Sequence, residues 1–330
     1  MKRIYSYTLG MMVALLCLSA CNNEWEDEQY QHYISFKAPM NYSQGTTEIY
    51  VRYKPEGKVR YILPLIMSGS TFTDNDLHVR VGLDADTLSF INKDHFYQRT
   101  DLYYKELDPS YYELESTDVT IPGGDCYGYL PIDFSLKGID LVEKWVLPLR
   151  IQDDPAGSYF PHPRKNYSQA ILRVMPFNDY SGSYSSTSME VFMGTDRTNS
   201  VTMNTRTMSV VDDKAVFFYA GLTEEDLTTS QRRKYKVIVR FNDDGTLTLS
   251  GEDPDIHFKQ IGKASYTVSE KMDETQPYLK HRYVTLYLEY EYDDVTSVPG
   301  ETLHFYSKGS MIMERKINTQ IPDEDQAIQW

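Results

Sequence analysis

Residues 282–294, RYVTLYLEYEYDD, switch side-chain character at every position. Val284, Leu286, Leu288, Tyr290 and Tyr292 fall on one side, and Thr285, Tyr287, Glu289 and Glu291 on the other. A strand turns successive side chains to opposite faces, so a period of two marks a strand with one buried and one wet face. KYKVIVRFNDDGTLTLSG, residues 234–251, repeats the pattern as a hairpin. Tyr235, Val237, Val239 and Phe241 share a face, Lys236 and Arg240 lie opposite with Ile238 between them, and Asp244-Gly245 sit in the turn. ETLHFYSKGSMIMERKI, residues 301–317, reads as two further strands. About eight such strands in a meander close best as a barrel, which leaves no exposed edge.

The first half is also strand after strand. TTEIYVRY, VRYILPLIM, HVRVGL, DVTIPGG, YGYLPIDFSL, KWVLPLRI and QAILRVMP are short β-rich runs split by Gly, Pro and Asp. About seven strands in some 140 residues predict a sandwich. DADTLSFINKDHF, residues 84–96, interrupts them as a helix with Asp86 as N-cap and Leu88 and Ile91 at helical spacing. Pro64 and Pro148 lie inside strand runs, which predicts edge strands or bulges there. MPFNDYSGSY breaks the pattern near residue 177 and divides the chain into a sandwich over 33–177 and a barrel over 178–330. YSGSYS, at the start of the second unit, resembles the opening of lipocalin-like domains.

The chain begins MKRIYSYTLGMMVALLCLSAC. Lys2 and Arg3 precede an apolar run of about ten residues, too short for a membrane-spanning helix, which needs about 20. Residues 1–20 therefore read as an export signal. Leu18-Ser19-Ala20-Cys21 resembles a bacterial lipobox, which would make Cys21 the lipidated first residue of the mature chain; a plain secretory signal is the alternative. Glu24, Glu26, Asp27 and Glu28 follow, and a like-charged run reads as a solvated tether over residues 21–32. The run resembles the acidic signal that directs lipoproteins of gut Bacteroidetes to the outer face of the outer membrane. About 310 residues remain after cleavage, enough for two cores. Loss of Lys2 and Arg3 takes the formal charge from −15 to −17, which disfavours nucleic acid and anionic membrane surfaces. With Cys17 removed and Cys21 acylated, Cys126 is alone, so no intramolecular disulfide can form and packing must hold the fold.

No nucleophile elbow, phosphate loop or H-E-x-x-H occurs. The seven histidines are scattered singly, without metal-ligand spacing. Asp84 with Asp86, and Asp253 with Asp255, suit turn caps better than Ca²⁺. No metal or cofactor is expected. Aromatic residues are the remaining candidates, since a ring face packs on the apolar face of a sugar. DDPAGSYFPHPRKNYSQ, residues 153–169, gathers Tyr159, Phe160, His162, Arg164 and Tyr167 among stiffening prolines. Trp330 either packs a terminus or lines a site, and Trp145 reads as core.

RYILPLIMSGSTFTDNDLHVRVGLDADTL, TDLYYKELDPSYYEL, VTIPGG and EKWVLPLRI together resemble the N-terminal immunoglobulin-like domain of Bacteroidetes polysaccharide-utilisation lipoproteins. VFFYAG, YKVIVRFNDDGTLTL, PYLKHRYVTLYLEY and ERKINTQIPDEDQAIQW resemble the uncharacterised C-terminal domain that accompanies it. The resemblance implies a surface glycan-binding protein, non-catalytic, lipid-anchored in the outer membrane and partnered with a Sus-type transporter. The competing expectations are an adhesive surface protein without a small ligand, and a glycan hydrolase.

Overall fold

The structure, a computed structural model, describes residues 28, 30–41, 44–164, 166–221, 223 and 227–330. The export signal and Cys21 lie outside the described residues, as do all tether residues before Glu28. The fold is all-β: a sandwich followed by a closed eight-stranded antiparallel barrel.

Eleven strands build the sandwich. They are β1 (Tyr33–Phe36), β2 (Thr47–Arg52), β3 (Val59–Met67), β4 (Leu77–Leu83), β5 (Lys105–Glu106), β6 (Tyr112–Leu114), β7 (Asp118–Ile121), β8 (Tyr127–Phe134), β9 (Trp145–Ile151), β10 (Phe160–Pro161) and β11 (Gln169–Phe177). One sheet runs β10-β1-β3-β8-β6 and the other β2-β11-β9-β4-β7, with β5 beside β9. Their facing sides bury Leu63, Leu65, Leu130, Ile132, Leu147 and Leu149 to zero exposure, so the apolar half of each alternation makes the core. The second sheet's outer side is covered in two parts. Helix α1 (Ala85–Phe96) sets Leu88 and Ile91 on Val146 and Ile171, and the barrel covers the end that carries Tyr50 and Phe177.

Two expectations for this unit need correcting. The N-cap of α1 is Asp84, whose Oδ1 accepts the Thr87 N–H at 3.1 Å; Asp86 lies in the first turn. Pro64 and Pro148 sit in interior strands, since β3 lies between β1 and β8, and β9 between β11 and β4. Each proline turns its missing donor toward a neighbour that has just ended. Pro64 O accepts from Lys37, one residue past β1, and Pro148 O from Asp84, one residue past β4. The bond each proline cannot donate therefore falls at the end of a ladder and not in its middle, which softens the usual reason for excluding proline from a central strand.

The barrel contains β12 (Gly182–Met193), β13 (Ser200–Thr202), β14 (Thr205–Asp212), β15 (Ala215–Tyr219), β16 (Lys236–Phe241), β17 (Thr246–Gly251), β18 (Lys259–Gln260), β19 (Ala264–Met272), β20 (Leu279–Asp294), β21 (Leu303–Asn318) and β22 (Ile328–Gln329). Helices α2 (Thr229–Lys234) and α3 (Glu324–Ala327) flank it. The ring β12-β14-β15-β16-β17-β19-β20-β21 closes through β12–β21 pairing. Residues 303–318 are one strand, where two were expected. Gly309 bends it at φ +146°, opposite the irregularity between Ser185 and Ser188 of β12. Tyr184, Met208, Phe218, Leu286 and Tyr290 pack together in the barrel's interior and make its core.

Candidate functional site between the two β-units

Between the outer side of β2–β11 and the barrel lies a cleft of about 460 Å³, the size of a small-ligand site. Strand alternation places its wall. In β2, Ile49 and Val51 point into the sandwich core, which turns Glu48, Tyr50 and Arg52 outward. Parallel pairing then sets Glu48 beside Arg173, Tyr50 beside Met175 and Arg52 beside Phe177. On the barrel side Val216 and Phe218 point inward, which turns Phe217 and Tyr219 to the cleft. Ser181, Ser183, Thr207 and Ser209 add hydroxyls, and Arg315 enters from β21.

Trp330 is the centre of the aromatic wall. Its ring stacks on Tyr50 with centroids 4.0 Å apart and planes 1° from parallel, while Phe177 meets it edge-on at 4.7 Å. β22 holds it there, pairing Ile328 with Ile317 and Gln329 with Lys316. Trp330 remains half exposed. The Tyr50 hydroxyl donates to Glu48 at 3.1 Å, and burial together with that carboxylate pushes the phenol up to about 12. The acids of the cleft are all engaged. Glu48 pairs with Arg173 at 3.0 Å, Glu143 with Lys105 and Arg233 at 2.9 and 2.8 Å, and Glu314 with His281 at 2.5 Å. Against burial, which pulls the other way, Lys105 and Arg233 hold Glu143 below the ordinary carboxylate range, and the hydrogen bond with His281 holds Glu314 there.

The loop residues expected to bind sugar lie elsewhere and do not line this cleft. Tyr159 is a correction: it is 2% exposed inside the sandwich core, its hydroxyl accepting the Arg80 N–H at 3.0 Å, so its ring cannot meet a sugar. Phe160 is exposed in β10. His162, Arg164 and Tyr167 pack on one another. The imidazole lies 4.8 Å from the Tyr167 ring and accepts the Arg164 N–H at 3.1 Å, and the Arg164 guanidinium lies 5.0 Å from Tyr167. Trp330 alone of the expected residues reaches the cleft. Trp145, expected in the core, is half-buried at the cleft wall with its indole N–H on Asp140 O at 2.8 Å. Asp84 and Asp253 act as caps, and Asp255 pairs with Lys234 at 2.6 Å. Among the described residues no three His, Cys, Asp or Glu side chains converge to hold a metal ion. Tyr50, Phe217, Arg173 and Arg315 were missed. The one available signal was an outward tyrosine between two charges in TEIYVR, a costly place for a ring unless something covers it.

Glu28 corrects the tether expectation at its last acid. Its carboxylate accepts the N–H groups of Tyr30, Ser70 and Thr71 at 2.7, 2.9 and 2.8 Å and meets His32 Nε2 at 2.6 Å. These donors, the Ser70 N–H foremost, hold it far below the usual carboxylate range. Sequence shows the acid but not the loop that receives it.

Family models match both halves: one described as a domain of unknown function, DUF4973, over residues 25–155, and one described only as "-like, C-terminal" over residues 168–311. A Bacteroides ovatus protein of unknown function is 45% identical, with 90% of this chain and all of that chain covered at a TM-score of 0.83. A multidomain Bacteroides ovatus protein including DUF1735 is 44% identical over 90% of this chain and all of its own, at 0.82. An auxiliary nutrient binding protein from Bacteroides thetaiotaomicron is 35% identical over 89% of this chain and all of its own, at 0.79. No curated protein matches. The chain belongs to the family of these Bacteroides proteins.

Proposed function

We propose that this protein binds an oligosaccharide in the cleft between its two β-units without cleaving it, while lipidated at Cys21 on the outer face of the outer membrane as a partner of a Sus-type transporter. The observation that carries the binding role is the Tyr50–Trp330 stack, a half-exposed aromatic plane walled by hydroxyls, amides and guanidinium groups. Rings of this kind meet the apolar face of a pyranose while polar groups fix its hydroxyls. The relative described as an auxiliary nutrient binding protein supports a nutrient ligand. Absence of catalysis is supported by the cleft acids Glu143 and Glu314, which are ion-paired and pulled down in pKa, whereas a glycosidase acid must be raised. The adhesive reading expects no concave aromatic site, and the cleft weighs against it.

Titration calorimetry with tetrasaccharides, neutral and acidic, tests the binding. Trp330→Ala should weaken the tetrasaccharide that binds by at least about tenfold, the usual effect of removing an aromatic anchor. Wild-type protein giving no heat with any tetrasaccharide overturns the proposal. Metabolic labelling with palmitate tests the anchor: the wild type should be marked and Cys21→Ala unmarked.

A further inference from the structure

Arg315 is 4% exposed, yet it lines the cleft. Its guanidinium donates to two neutral acceptors, Asn178 O at 3.0 Å and Ser181 O at 2.7 Å. The Phe177 and Trp330 rings lie 5.8 and 5.3 Å from it. A buried cation normally has a carboxylate against it, because neutral carbonyls compensate only part of the lost hydration. Here the nearby acids are taken: Asp179 and Asp325 both bind Arg52. Burial foremost, with repulsion from Arg52 that Asp179 only partly offsets, pushes the Arg315 guanidinium down to about 10. On the opposite wall Arg173 spreads one nitrogen between Glu48 and Gln44, at 3.0 and 3.1 Å, and so presents a second guanidinium on the same cleft.

We infer that the glycan taken by the cleft is acidic, and that its carboxylate or sulfate group sits on the Arg315 side of the Tyr50–Trp330 stack, with Arg173 facing it. The inference rests on the binding role proposed above and adds the substrate class. A uronate carboxylate or a sulfate ester would complete the charge of Arg315 while the sugar ring lies on the indole, and guanidinium groups suit both anions because their donors are planar and paired. The whole chain carries −15, so its net charge does not attract an acidic polymer. Selectivity would then come from the cleft and not from general charge attraction.

Calorimetry and Trp330 fluorescence with four probes decide the matter: tetragalacturonate for the carboxylate, a chondroitin sulfate tetrasaccharide for the sulfate, and cellotetraose and mannotetraose as neutral controls. One acidic probe should bind, weaken by at least about tenfold as NaCl rises from about 0.05 M to about 0.5 M, and outbind both neutral probes by at least about tenfold. Which acidic probe binds identifies the anion. Arg173→Gln should weaken the acidic probe alone, and Arg315→Lys should retain part of the binding, since the charge stays while one carbonyl bond is lost. A neutral tetrasaccharide binding as tightly as either acidic one, insensitive to salt, overturns the acidic class and leaves the binding role standing. Silence from all four probes overturns the binding role and the class with it. The wild-type comparisons alone are decisive if a variant fails to fold.

Discussion

Gly309 and His281 show how much single residues decide in this barrel. A Cβ built on Gly309 would lie 2.0 Å from Ser188 O and 2.9 Å from Met189 Cα, both backbone atoms of the strand that closes the ring. Its φ of +146° is also one that only glycine adopts without strain. Gly309→Ala should therefore cost about 3 kcal/mol, read as a lower urea midpoint at unchanged m-value. An alanine variant as stable as wild type would mean that β12 and β21 do not close here. His281 acts through charge. Its Nδ1 lies 2.5 Å from Glu314 and its Nε2 3.0 Å from Asp273, and these acids, Glu314 first, raise the imidazole above its ordinary 6.5. A raised folded-state value gives stability that is complete below about pH 6.5 and fades as pH climbs through the folded pKa. The acids are lowered, so their share is complete above their ordinary 4.5 and 3.8 and is lost as acid is added. The trio therefore contributes most between about pH 4.5 and 6.5. His281→Gln should flatten the decline in Tm above pH 6.5, followed by calorimetry, and an unchanged slope would remove His281 as its cause.

At the scale of elements, the prolines give the sharper lesson. Because Pro64 and Pro148 face strands that have ended, replacing either with alanine adds a donor only at the last rung of a ladder. Pro64→Ala should change stability by less than about 1 kcal/mol, through the unfolded chain alone. A loss above about 2 kcal/mol in denaturant titration would show that the ring's packing holds β3 in place. The rule that put both prolines on edges failed because the sequence shows a strand's own residues and not where its neighbour stops. Long alternating runs were readable for the opposite reason, since their pattern follows from which face is buried. All seven runs of the first half are strands, whereas β1, β5, β6 and β10 escaped notice. Each is four residues or fewer, which shows little of a period; β7, also four residues, was legible through the Pro-Gly-Gly turn that follows it. Residues 301–317 read as two strands although they form one, because the glycine at 309 answers to β12, more than a hundred residues earlier in the chain. The cleft was less legible still. Tyr50, Phe177, Phe217, Arg315 and Trp330 come from five strand regions, and only the closed barrel resting on β2–β11 brings them together.

The molecule as a whole is two cores clamped at both ends of the cleft. At one end α2 reaches across to the sandwich. Arg233 binds Asp140 and Glu143, Arg232 donates to Val142 O at 3.2 Å, and Thr229 donates to Asp101 O at 2.9 Å. At the other end the last residues form a strap. α3 presents Asp325 to Arg52, whose Nε lies 2.9 Å away, and β22 lies on β21 while Phe177, Ile317, Ala327 and Ile328 close a small apolar core. The ion pairs are partly exposed and contribute about 1 kcal/mol or less each, so the apolar cluster and the Trp330 stack carry most of the strap's hold. Val210 of β14 also packs into the sandwich core, but the strap carries the Arg52 pairs and the Trp330 stack, so removing it should loosen one unit from the other without opening either core. Full-length protein should melt in one calorimetric transition. A chain ending at Pro322 should melt in two, with the barrel strands still formed by circular dichroism and the binding of any cleft ligand lost, because Tyr50 would face water without its indole. One unchanged transition in the shortened chain would show that α2 and the Val210 contact hold the units together, and the cleft would then owe its shape to them instead of to Trp330.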